Sequence, residues 1–151
     1  MNSTDTAHAI AKKFELADQL AERLEKEEVD YDWADQSMCV IGQLASLAMN
    51  LNPGKLDEII AIEQGENLRV GGCWGWCEIE RCPDTGIPFS QIFRTLESVG
   101  ISTEAEIDEL EHVSNSIVCE RLGFLPDKWD VREVAAYLHA YAQLGHEGVI
   151  A

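Results

Sequence analysis

The sequence predicts an all-α fold: a compact bundle of six or seven helices carrying one long Cys/Trp/Gly-rich loop. Three observations lead there. Apolar residues recur at spacings of three and four along most of the chain, capping residues and glycines punctuate those runs, and the period is lost only between about residues 65 and 87. With 151 residues the chain has the size of one domain, 1–151. A domain of that length buries roughly 70% of its unfolded surface, so neither disulfide nor metal is needed for it to fold.

The first helix is expected from Asp5 to about Glu28, capped by Ser3, Thr4 and Asp5. Ile10, Phe14, Ala17, Ala21 and Leu24 form its inner face, and Lys12, Lys13, Glu15, Glu22, Arg23 and Lys26 its solvated face. A second helix, Ala34 to Asn50, places Met38, Ile41, Leu44, Ala45, Leu47, Ala48 and Leu51 over so wide an arc that it should be the central, mostly buried one. Asn52-Pro53 reads as a cap and first helical residue of a short helix closed by Gly65. After the loop, helices resume at Pro88, with a stripe of Phe89, Ile92, Phe93, Leu96 and Val99 that Gly100 stops. Thr103 and Glu106 have the spacing of a capping box, in which each side chain satisfies the other's backbone N–H. Ile107, Leu110 and Val113 should point inward from that helix. Ser114-Asn115 opens a short helix ended by Gly123, Leu125-Pro126 is a turn, and Asp130 with Glu133 starts a last helix that runs to Gly145.

Charge narrows the function classes. The chain has 28 Asp and Glu against 11 Lys and Arg, a formal −17. Such a surface repels phosphate backbones and anionic membranes, which disfavours direct nucleic-acid or membrane binding and favours a basic protein partner. The acidic stretches Glu22–Asp35 and Glu104–Glu111 read as solvated helix faces. No stretch has the ~18 apolar residues of a membrane span, and Met1–Phe14 lacks a basic segment followed by an apolar run. The 5 cysteines then read as reduced thiols, and the expected location is the cytoplasm.

The cysteine loop is the main chemical candidate. Cys73, Cys77 and Cys82 are spaced C-x3-C-x4-C, and Cys39 is available from the second helix. Four thiolates converging on one point would suit zinc or iron. The spacing also suits small buried side chains in a tight aromatic loop, and that plainer reading is preferred. Trp74 and Trp76 flank Gly75, either as an interaction hot spot or packed inward over the bundle. His8, His112, His139 and His146 have no carboxylate or serine partner identifiable from spacing, so no nucleophilic triad can be argued. Two Glu-x-x-His motifs on facing helices and phosphate-binding glycine loops are absent, and the reading leans away from an enzyme.

Three segments carry a resemblance: Cys39-x-x-Gly-x-Leu-Ala, Cys82-Pro-Asp-Thr-Gly-Ile-Pro, and Leu110-Glu-His-Val-Ser-Asn with the final helix. In order and spacing, over roughly Asp30 to Leu144, they resemble a family of small uncharacterised bacterial proteins with C-x-C-G-x-L, C-P-x-S/T-G-x-P and L-E-x-L-S-D segments. The resemblance implies a bacterial, helical, cytoplasmic protein and brings no activity. Ile41 stands where that pattern has its second cysteine, and the Trp-Cys insertion is particular to this chain. Cys39 and Cys82 are the thiols it picks out. Physically, Gly42 would let another helix approach closely, and Pro83, Gly86 and Pro88 would fix a turn. The expectation is an acidic protein-interaction or regulatory module. A metal-binding protein using the cysteine loop is the alternative, and a thiol enzyme the third.

Overall fold

The computed structural model describes residues 11–33, 38–51, 55–56, 58–59 and 91–151. Among these every regular element is a helix: α1 Lys12–Glu25, α2 Val40–Met49, α3 Gln91–Ser98, α4 Glu104–His112, α5 Ser116–Leu122 and α6 Val131–His146. Residues 55, 56, 58 and 59 are helical as well, and Leu56 is buried. The all-α expectation therefore holds at the level of fold class. The capping segment before residue 11 and the glycine-rich loop lie outside the described residues.

The broadest helix contact among the described residues is between α1 and α6. Phe14, Ala17, Ala21 and Leu24 are buried on α1 as their spacing requires, joined by Leu16 and Leu20. They meet Val134, Leu138, Tyr141 and Leu144, and the Phe14 and Tyr141 rings lie 5.0 Å apart. α2 packs against α1, α3 and α4. Its residues Val40 to Ser46 are buried without a break, so the segment predicted to be central is surrounded on most sides.

The loop ends behave as local chemistry dictates. Gly100 and Gly123 stop α3 and α5 with φ of 104° and 83°, a region glycine enters without Cβ strain. Asn115 caps α5, its Oδ1 accepting from the Ile117 and Val118 N–H groups at 3.0 and 3.1 Å.

Four expectations are corrected. Lys13, assigned to the solvated face of α1, is buried, because its ammonium finds Glu106 Oε2 at 2.6 Å and the Ala151 backbone oxygen at 2.8 Å. α2 begins at Val40 rather than Ala34. Cys39 is its extended N-cap, with the thiol sulfur accepting from Gly42 N–H at 3.4 Å. The Thr103–Glu106 box is one-sided: Thr103 Oγ1 accepts from Glu106 N–H, while the Glu106 carboxylate is drawn to Lys13. Finally, α6 continues through Gly145 to His146. That glycine serves close packing, since a Cβ there would lie 2.3 Å from the Phe14 ring.

Candidate functional site

Between α5 and α6 the chain runs Gly123-Phe-Leu-Pro-Asp-Lys-Trp-Asp130, too apolar for an ordinary connection. Asp127 organises it. Its Oδ1 accepts from Trp129 N–H at 2.9 Å, its carbonyl accepts from Asp130 N–H at 3.0 Å, and its own N–H donates to Glu133 Oε1 at 2.9 Å. This side-chain turn leads straight into the Asp130 cap of α6, whose Oδ1 accepts from Arg132 N–H.

The same loop is tied to distant parts of the chain. Tyr31 donates its hydroxyl to the Lys128 carbonyl at 2.5 Å. The Lys128 ammonium lies 3.9 Å from the centre of the Trp33 ring, a cation–π contact. Trp129 meets Trp33 edge-on at 5.1 Å, and Trp33 Nε1 donates to the Glu111 carbonyl at 2.8 Å. Burial, reinforced by the Cys39 and Asp32 side chains, holds the Tyr31 phenol above its ordinary range, so it remains a donor. Despite this bracing, Phe124, Leu125 and Trp129 are 45%, 74% and 57% exposed. Pro126 between them is buried. The reading of Leu125-Pro126 as a mere turn missed this edge. The available signal was three large apolar residues between two cap positions, where no helix face could bury them.

Beside the edge, ligand atoms of Asp108, Glu111 and His112 on α4 lie within 4.8 Å of one another. The electrostatics favour an ion network over a metal centre. Lys128 Nζ stands 3.2 Å from His112 Nδ1, and an ammonium can only donate. On the other side of the ring, Nε2 faces Asp108 Oδ1 at 3.5 Å. A divalent cation held by these three residues would sit close to the Lys128 ammonium.

A second ionic cluster joins α1 to α6. His139 Nδ1 lies 2.7 Å from Asp18 Oδ1, and its Nε2 lies 2.8 Å from Glu25 Oε1. Sequence spacing could not show this, because the partners are 121 and 114 residues away.

Of the thiols expected to bind metal, Cys39 is buried at the start of α2. Cys73, Cys77 and Cys82, with Trp74 and Trp76, lie outside the described residues. Cys119 is half-buried with its thiol 3.6 Å from the Val113 carbonyl, and burial pushes its pKa up, away from the thiolate a nucleophile needs. No helix among the described residues is long and apolar enough to cross a membrane. Neither a protein-family model, nor a curated protein, nor a solved structure matches this chain.

Proposed function

We propose that this chain is a protein-interaction module whose contact edge is the segment from Phe124 to Val131, and that its partner presents an apolar patch bordered by basic residues. The observation that carries the reading is a loop braced at Asp127, Lys128 and Trp129 that still leaves Phe124, Leu125 and Trp129 in solvent. Single exposed apolar residues are ordinary, but a cluster on a rigid support is typical of binding surfaces. A loop fixed before association loses little further freedom on binding, and tryptophan is enriched among the residues that dominate interface energies.

Charge gives the partner its sign. Glu120 and Asp127 are exposed near this edge. Of the basic residues close by, Arg121 is paired with Glu147 at 2.9 Å and Lys128 lies over Trp33, while Arg132 is exposed beside Asp130. The net −17 would steer a basic partner over longer range.

The test is affinity capture from cell extract with the wild-type chain, Leu125→Glu and Trp129→Ala side by side. A basic protein held by the wild type, lost from both variants and released by salt is the expected result. Equal capture by all three would reject this edge as the contact surface.

A further inference from the structure

His139 lies across the α1–α6 contact, between two carboxylates of α1. Asp18 and Glu25 are seven residues apart on α1, two helical turns or about 10 Å along the axis. Their carboxylates reach the His139 ring from opposite sides, at 2.7 Å from Nδ1 and 2.8 Å from Nε2. Both contacts are hydrogen bonds only if each ring nitrogen carries a proton, which is the imidazolium. A neutral ring keeps one N–H and turns a lone pair towards the other carboxylate, so one charge-assisted bond becomes a repulsion.

We propose that His139 is a pH-sensitive clasp between α1 and α6, closed as the imidazolium and opened when the ring loses its proton. The surroundings support a charge that is held in place yet able to exchange with solvent, since the His139 side chain is 36% exposed. On α1, Glu22 shares the face of Asp18 and Glu25 and adds a third negative charge. On α6, Gln143 and His146 line the same groove as His139 and Asp18. α5 also packs on α6, but its Arg121 is paired with Glu147, eight residues past His139 and about 12 Å further along.

Partial burial lowers the His139 pKa, but the hydrogen bonds and charges of Glu25 and Asp18 outweigh it and leave the pKa raised. A folded value above the unfolded one, about 6.5, sets the sign. The stabilisation is complete below about pH 6.5 and is lost as pH rises through the folded pKa.

The experiment is an NMR titration of the His139 ring in the full chain, with urea unfolding of wild type and His139→Gln between about pH 6 and pH 9. The His139 midpoint should lie above about 6.5 and fall back in Asp18→Asn and Glu25→Gln. For every pH unit by which that midpoint exceeds about 6.5, the wild-type folding constant should drop about tenfold across the window relative to His139→Gln. A midpoint at or below about 6.5, or parallel stability profiles for the two proteins, would overturn the clasp. His146→Gln should leave the His139 midpoint above that value; a collapse there would shift the role to His146. Should His139→Gln fail to fold, the ring titrations of wild type and the two carboxylate variants still decide the question.

Discussion

Lys13 and Glu106 form a buried ion pair at 2.6 Å, joining the first turn of α1 to the first turn of α4, with the two side chains 4% and 27% exposed. The lysine backbone is held too, its N–H donating to the Val99 carbonyl at 2.8 Å. Removing one member of a buried pair strands the other, at a cost of about 3–5 kcal/mol when the remaining charge is fully enclosed. Here Glu106 is partly solvated and keeps the Thr103 hydroxyl within 3.3 Å. Lys13→Met, which preserves the apolar stem, should therefore destabilise by about 2 kcal/mol. Urea unfolding checks it: the midpoint should fall at unchanged slope. A loss under about 0.5 kcal/mol would mean that the pair behaves as a surface one.

Gly145 and Phe14 set how closely α6 approaches α1. Gly145→Ala adds helix propensity worth about 1 kcal/mol. The new Cβ would nevertheless fall 2.3 Å from Phe14 Cγ and Cδ1, atoms that cannot swing away as a chain end could. Overpacking of this kind costs about 1–3 kcal/mol, so a net loss in thermal stability is expected. Phe14→Leu should weaken that penalty, giving a positive coupling in the double-mutant cycle. Additive effects would show that the helices part freely to admit the methyl group.

These two residues also show where sequence reasoning stops. Periodicity located most of the buried positions on α1, α2, α3, α4 and α6, because apolar spacing is a property of one helix and its solvent. Caps at Thr103, Asn115 and Asp130 were legible for the same reason. Lys13 was misplaced because its partner is 93 residues away, and Gly145 because a glycine near a helix end usually stops it. Neither the His139 cluster nor the Trp33–Lys128–Trp129 stack can be read from spacing, since each joins segments that only packing brings together. The apolar composition of the loop before α6 was visible, but its exposure was not.

Tyr137 is fully buried, and its hydroxyl accepts from Asn115 N–H at 3.0 Å. That N–H follows Val113, which takes the left-handed conformation at φ 47° where α4 gives way to α5. Tyr137→Phe would leave the donor unpaired in a part-buried break, at an expected cost of about 1–2 kcal/mol. Amide hydrogen exchange should report it locally, with Asn115 accelerated more than the centre of α6. Uniform acceleration would instead mean that the phenol supports the whole bundle.

Leu125 separates binding from folding at the exposed edge. It is 74% exposed, so Leu125→Glu should change stability by no more than about 0.5 kcal/mol while placing a like charge in an acidic surface. Trp129→Ala differs, because it removes the edge-on contact with Trp33 at 5.1 Å and should cost about 1 kcal/mol of stability. If the edge is a contact surface, Leu125→Glu abolishes capture of a basic partner with the melting temperature intact. A marked fall in melting temperature for Leu125→Glu would instead mean that the side chain is packed in solution, and the case for a preformed docking edge would fail at its first premise.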